Sequence, residues 1–175
     1  MKVLFGTIAT FALLFLAASG GLSQSAKMEK TTILKASQIT ATLFPERVFF
    51  AGKTAPTQMR NTAGVHFADG TYLLAGLIDS SGYATAVKQK YQGYLLTEVP
   101  LEIGGQHVAP GAYGFGFLAG GKFLLMDLGA HDLFQVDSNH DTAIKRPVPF
   151  QILAAEGGGY LIYNGRNSVE FKRAE

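Results

Sequence analysis

The stretch "YLLTEVPLEI", Tyr94 to Ile103, shows the clearest alternation of side chains in the chain. One side of an extended strand here would carry Leu95, Thr97, Val99, Leu101 and Ile103. The other side turns polar towards its end, at Glu98 and Glu102. Because β-strand side chains alternate between two faces, this pattern predicts a strand with one buried face. Pro100 has no N–H to donate, which predicts an edge position or a β-bulge.

Similar short apolar segments follow one another on both sides of this stretch. We predict strands at 47–51, 71–79, 112–119, 122–129, 133–137, 150–155, 160–163 and 168–172. Glycine-containing turns separate them, and the Asn164-Gly165 pair is a strong two-residue hairpin signal. The sequence therefore predicts an all-β fold, either an antiparallel sandwich or a partly closed barrel.

One segment, "SSGYATAVKQKYQG" at 80–93, has a different period. Tyr83, Val87 and Tyr91 recur every four residues, which is the spacing of one helix face. The serine pair before them is suited to cap a helix, and Gly93 to end it. We predict one short helix that lies across the sheet as a plug or lid on the core.

The N-terminal segment has the layout of a secretory signal. A basic start, Met1-Lys2, leads into an uncharged apolar run at 3–18 and then into small polar residues. Small residues permit cleavage after Ser25, with Gly20 as the alternative. The apolar run is shorter than the ~20 residues of a comfortable membrane span, so we expect no stable transmembrane segment after cleavage.

The remaining chain, 26–175, is long enough for one β domain with its own core. Within it, 26–45 is predicted to be a flexible or edge-strand segment. The absence of Cys excludes disulfides and thiol catalysis, and favours a bacterial periplasm or exterior over a eukaryotic secreted scaffold. The 15 basic and 13 acidic residues are dispersed, unlike the concentrated basic surface that binds nucleic acid.

The glycine-rich stretch "IGGQHVAPGAYGFGF", 103–117, does not fit a phosphate-binding loop. Such a loop precedes a helix, whereas a strand pattern follows here. In that pattern Tyr113, Phe115 and Phe117 form one face, and the opposite face holds only Ala112, Gly114 and Gly116. A face reduced to small residues allows another backbone, or a ligand, to come close.

The segment 127–141 contains the densest group of acidic and histidine residues. Asp137, Asn139 and Asp141 match the first half of a calcium loop, but Thr142 and Val148 replace the glycine and glutamate that complete it. Both departures remove the specificity of the match, so we expect a solvated turn between strands and not a calcium site.

Two other groups could carry chemistry. Asp127, His131 and Asp132 could supply metal ligands, although a closed site needs about four. Glu98 and Glu102 share a predicted strand face, but four residues of strand separate them by roughly 13 Å, too far for a pair of catalytic carboxylates. We therefore assign no catalytic residue, no metal ligand and no cofactor.

The stretch from Pro100 to Gly129 resembles a hairpin of secreted bacterial β-rich domains of unknown function. Those domains carry "IGGK-x-LPAGxY", followed by two further strands. This chain has Gln106 where the lysine stands and Ala109 within the altered Leu-Pro order. The resemblance implies secretion and β architecture, and it implies no activity.

Together these features predict a secreted or periplasmic, non-catalytic binding or interaction module. Its partner would be another envelope or extracellular protein, or a small apolar ligand. The alternatives are a carrier of small apolar ligands with a barrel cavity and a metal-dependent hydrolase with a site at 127–141.

The signal predicts a defined mature N-terminus. Expression of the full chain in a bacterium should release a protein that begins at Ala26, or at Gly21 if the alternative site is used. N-terminal sequencing or intact mass spectrometry measures this directly. A cell-associated product that keeps residues 1–25 would instead show an uncleaved anchor.

Overall fold

A computed structural model describes residues 30–175, so the predicted signal peptide lies outside the described residues. The described chain forms fourteen strands, one 3-10 turn at Ala36–Gln38 and one α-helical turn, α1, at Thr85–Lys88. The strands are β1 Thr32–Lys35, β2 Arg47–Phe50, β3 Lys53–His66, β4 Tyr72–Ile78, β5 Gly93–Thr97, β6 Leu101–Ile103, β7 Gln106–Val108, β8 Gly111–Leu118, β9 Lys122–Met126, β10 Asp132–Asp137, β11 Asn139–His140, β12 Phe150–Ala154, β13 Tyr160–Asn164 and β14 Asn167–Arg173.

The strands form two antiparallel sheets. The large sheet has the order β1-β3-β4-β5-β8-β9-β10, with β2 paired to the first half of β3. The small sheet has the order β12-β13-β14-β6-β7, with β11 paired to β14. Neither sheet closes on itself, and the two do not join into a barrel. The predicted all-β sandwich is therefore confirmed, and its barrel alternative is wrong.

The two sheets pack face to face around an aromatic and aliphatic core. Phe115, Phe117 and Phe123 enter it from the large sheet, and Ile162 and Phe171 from the small one. The ring centroids of Phe115 and Phe123 are 5.9 Å apart, within the range of favourable aromatic pairs. This core uses the aromatic face of β8 that the alternation of 112–117 predicts.

A second core lies on the outer face of the large sheet. Leu74, Tyr94 and Leu124 point away from the small sheet and are covered by two segments of the same chain, 39–50 and 83–91. Strands buried on both faces have apolar residues at nearly every position. That requirement explains the unbroken runs in β4 and β9.

The predicted helix is shorter than its pattern suggests. Only Val87 of the apolar stripe lies within α1, and Ala84, not a serine, occupies the N-cap position. Tyr83 and Tyr91 flank the turn and are buried against the outer face, as predicted for a lid on the core.

The opening stretch, 94–103, divides between the two sheets. β5 belongs to the large sheet and β6 to the small one, and the chain bends between them at Pro100. Its predicted buried face is confirmed, because all five of its side chains are buried. The Thr97 hydroxyl donates to the carbonyl of Val99 at 2.6 Å and accepts from its N–H at 3.2 Å, which satisfies this buried polar group at the bend. A strand that switches sheets at a bend is a known corner of β-sandwiches.

The sequence patterns miss the longest strand. β3 has 14 residues, and its first half is polar and mostly exposed because it pairs with β2 beyond the edge of β4. The hairpin between β13 and β14 is present, but its two loop residues are Gly165 and Arg166, one position later than the Asn-Gly signal suggests. Gly165 has a φ of 62°, a conformation that glycine adopts without steric cost.

Two glycines of β8 determine how closely the outer cover approaches the sheet. A Cβ placed on Gly116 would lie 1.9 Å from the Lys90 carbonyl oxygen, and one on Gly114 would lie 2.3 Å from the Phe50 ring. Gln92 fixes the 90–92 backbone to β8, since its side chain donates to the carbonyl of Phe117 at 2.9 Å. The backbone that approaches the small-residue face is therefore the chain's own.

Substitution of Gly116 by Ala tests this close approach. The new methyl group must displace the Lys90 backbone, so Gly116→Ala should lower the free energy of unfolding by about 2 kcal/mol or more. Gly82→Ala is the matched control, because no atom lies within 4 Å of a Cβ at Gly82. Urea denaturation followed by circular dichroism measures both, and equal stabilities would contradict the packing described here.

Tyr91 is a buried aromatic residue with an unsatisfied hydroxyl. Its ring is fully buried and stacks on Phe50 with a centroid distance of 3.8 Å. No residue of the described chain bonds to its hydroxyl, and burial raises the pKa of that phenol. The neighbouring Tyr83 differs, since its hydroxyl donates to the carbonyls of Phe50 and Lys53 at 3.0 and 3.2 Å.

The two tyrosines should respond oppositely to loss of the hydroxyl. Tyr91→Phe removes an unpaired polar group and should raise the free energy of unfolding by about 1 kcal/mol. Tyr83→Phe removes the hydrogen bond that one hydroxyl proton shares between two carbonyls and should lower it by about 1 kcal/mol. Thermal and urea unfolding compare the pair, and a destabilised Tyr91→Phe protein would show that its hydroxyl is paired.

Candidate functional site

An apolar groove lies where the outer cover of the large sheet ends. Its floor is a row of three side chains on neighbouring strands: Leu74 of β4, Leu96 of β5 and Ala112 of β8. Their register places them side by side on the outer face, because Leu74 pairs with Leu96 and Leu96 with Ala112. The groove has a volume of about 520 Å³, within the ~300–1,000 Å³ of typical ligand sites.

The walls of the groove come from two directions. Thr42 and Leu43 belong to the cover and form one wall, while Tyr72, Glu98 and Gly111 form the other. Leu43 stands at the limit of the cover. The next residue, Phe44, turns inward and is fully buried. The groove thus lies at the margin of the cover, where Leu74 is buried while Leu96 and Ala112 are partly exposed.

Glu98 is the single ionisable carboxylate among the groove's lining residues, and the backbone holds it in place. Its Oε2 accepts a hydrogen bond from the Tyr72 N–H at 2.8 Å, and its own N–H donates to the Tyr72 carbonyl. The Tyr72 ring stacks on His66 with a centroid distance of 4.4 Å. These contacts give the groove a firm polar rim beside an apolar floor.

The face of β8 that carries small residues lies partly under the cover and partly in the groove. Gly114 and Gly116 lie under the cover, and Ala112 lies in the groove. The sequence predicted that another backbone or a ligand could approach this face closely. The backbone that does so is the chain's own 90–92 segment. Sequence reasoning did not find the groove, because its floor residues are far apart in the chain and only the strand register brings them together.

The residues grouped as candidate metal ligands are brought together only in part. Asp127 accepts hydrogen bonds from the backbone N–H groups of Gly129 and His131 at 2.8 and 2.9 Å, and its Oδ2 lies 2.9 Å from His131 Nδ1. The backbone bond from His131 is the main cause that lowers the pKa of Asp127. Asp132 points elsewhere and pairs with Lys90 at 2.8 Å.

The calcium-like motif is also dispersed. Asp137 pairs with Lys122, whereas Asp141 accepts hydrogen bonds from the Ala143 N–H and the Tyr163 hydroxyl. Across residues 30–175, no three His, Asp or Glu side chains are placed to share a metal ion. The segment 127–141 is a turn at 127–131 followed by β10 and β11, and its acidic side chains are held by hydrogen bonds and ion pairs.

The two glutamates of the opening stretch lie in different elements, since Glu98 follows β5 of the large sheet and Glu102 belongs to β6 of the small one. Glu98 borders the groove, and Glu102 of β6 pairs with Lys172 at 3.0 Å. The bend at Pro100 separates them, so they do not face one cleft as a catalytic pair would.

In the described part of the chain, no helix is long and apolar enough to cross a membrane.

Comparison with known proteins identifies no relative of this chain. No family model matches the chain, and no curated protein or solved structure is significantly similar to it. The resemblance of Pro100 to Gly129 to secreted bacterial domains therefore stays a prediction.

Proposed function

We propose that this protein is a secreted or periplasmic, non-catalytic binding module, and that the groove on the outer face of the large sheet is its binding surface. The observation that carries the proposal is the row of Leu74, Leu96 and Ala112, an apolar floor on three paired strands. Strands hold such a row more rigidly than loops would, which favours binding without rearrangement.

The chemistry of the groove supports binding rather than catalysis. Proton transfer and nucleophilic attack need two or more reactive groups within hydrogen-bond distance of each other. The groove supplies apolar side chains, hydroxyls and one carboxylate that the Tyr72 backbone already engages. An apolar side chain of a partner protein fits this composition, with Glu98 and Thr42 able to bond to the backbone beside it.

A small apolar ligand is the second candidate, favoured by the volume of the groove. A carrier of the barrel type would hold its ligand inside a closed sheet, and the interior here is occupied by the packed inter-sheet core. A carrier function would therefore use the same outer groove.

Filling the groove tests the proposal. Ala112→Phe places a ring over the floor and should weaken binding of the neutral fluorescent probe N-phenyl-1-naphthylamine at least fivefold. The matched control is Ala86→Phe, the same substitution on the exposed helical turn α1. Fluorescence titration gives both affinities, with unfolding curves to confirm that each variant is folded.

A second measurement separates the two candidates. A photo-crosslinking residue at Thr42 on the groove wall, compared with one at the remote Lys88, should capture a partner protein in the envelope or medium of the secreting cell. Probe binding without a position-specific crosslink would favour the small-ligand carrier. Absence of both probe binding and crosslink would overturn the groove as the binding surface.

A further inference from the structure

A second cleft lies at one side of the sandwich, where an edge strand of each sheet comes near the other. It lies between β1 and β3 of the large sheet and β12 of the small one, and we call it the edge cleft. Its volume is about 340 Å³. Ala63, Phe150 and Ile152 line it and are also buried members of the inter-sheet core. The floor is therefore apolar and continuous with the inter-sheet core.

Two basic side chains stand among the lining residues of the edge cleft, and no acidic side chain does. Lys35 ends β1, and Arg60 lies in a bulge of β3. Within the described chain neither is found in an ion pair. The other lining residues are apolar or uncharged.

Hydrogen bonds anchor the backbone of the bulge that carries Arg60. The pairing of β3 with β4 is interrupted between Thr57 and Thr62, which leaves residues 58–61 as an outward bulge. Gln58 anchors that bulge by donating to the Ile78 carbonyl at 3.0 Å, and the Thr62 hydroxyl donates to the Met59 carbonyl at 2.8 Å. Bulges commonly redirect a side chain beside a functional site.

The sequence around the edge cleft has one sign of charge. Three stretches of chain line it, 33–36, 60–63 and 148–152, and none contains Asp or Glu. Together they carry two basic residues, Lys35 and Arg60. The whole chain is close to neutral, with 15 basic and 13 acidic residues, so its acidic residues lie elsewhere. The lining of the edge cleft thus carries two positive charges and no negative one.

We propose that the edge cleft binds a single-chain amphiphile with a carboxylate head, the chemical class of a fatty acid. The alkyl chain lies on the floor formed by Ala63, Phe150 and Ile152, and the carboxylate lies between Lys35 and Arg60. An arginine guanidinium suits this role because it can hold a carboxylate with two parallel hydrogen bonds. The site is separate from the outer-face groove, so each proposal can be tested and rejected without affecting the other.

Ligands that differ in one property at a time test the edge cleft. Isothermal titration calorimetry of the secreted protein should show decanoate binding about fifteenfold more tightly than octanoate, because each buried CH₂ contributes about a fourfold gain in affinity. Decanol and decyltrimethylammonium should both bind more weakly than decanoate, since neither offers a negative head. All ligands are used below the concentration at which they form micelles.

Charge variants identify the site. Lys35→Gln and Arg60→Gln should each weaken decanoate binding at least threefold and leave decanol binding unchanged. Lys88→Gln, which removes an equally exposed cation on α1, is the matched control and should bind decanoate normally. Ala112→Phe, which fills the outer-face groove, should also bind decanoate normally if the two sites are distinct.

Several results would overturn the proposal. Equal affinities for decanoate and decanol would show that the cations play no part, and equal affinities for octanoate and decanoate would show that the floor plays none. Inorganic phosphate competing as well as decanoate would indicate a simple basic patch. Binding to anionic phosphatidylglycerol vesicles with no binding of free decanoate would assign the surface to a membrane instead. Loss of decanoate binding in Ala112→Phe would place the ligand in the groove.

Discussion

The central strands of the large sheet have apolar side chains on both faces. Both faces must therefore be covered, and this requirement determines how the other segments of the chain pack. In β4, Leu73 faces the small sheet and Leu74 faces outward, and in β9 the neighbours Leu125 and Leu124 divide in the same way. Removing apolar surface from water is the dominant favourable term in folding. One sheet can cover only one face, so the chain must also provide the 39–50 and 83–91 segments as a second cover. The glycines of β8 allow that cover to approach the sheet at backbone distance.

Both candidate sites lie where one of these covers ends. The outer-face groove begins beyond Leu43, at the limit of the cover, and the edge cleft begins where the two sheets separate at β1 and β12. Each floor is made of residues that also belong to a packed core or pack against one. This arrangement gives a binding surface the rigidity of the core beneath it, without a cavity inside the core. The two sites differ in their charge, since Glu98 borders the groove while Lys35 and Arg60 border the cleft.

Much of the fold could be predicted from local patterns, and the sites could not. Alternation identified the buried face of 94–103 and the two faces of 112–117, because a period of two is visible within a few residues. It could not show that the chain changes sheets at Pro100, since the same face stays buried on either side of the bend. The polar first half of β3 could not be recognised from an apolar pattern, because it pairs with β2 and does not cover a core. The groove floor depends on the register that aligns Leu74, Leu96 and Ala112. The acidic residues of 127–141 are drawn apart by ion pairs to different elements, since Asp132 pairs with the distant Lys90 and Asp137 with Lys122 on the neighbouring strand.

The pairing of β6 with β14 affects the order in which the molecule can fold. Ile103 lies opposite Phe171, so the small sheet joins a strand from the middle of the chain to its last strand. Contacts between residues so distant in sequence carry a large loop-closure entropy and slow the search for the native state. The large sheet can assemble from neighbouring hairpins, such as β4 with β5 and β8 with β9, while its inner face still lacks the small sheet's core residues. A chain emerging from a ribosome therefore cannot complete the inter-sheet core until the seven residues of β14 are released.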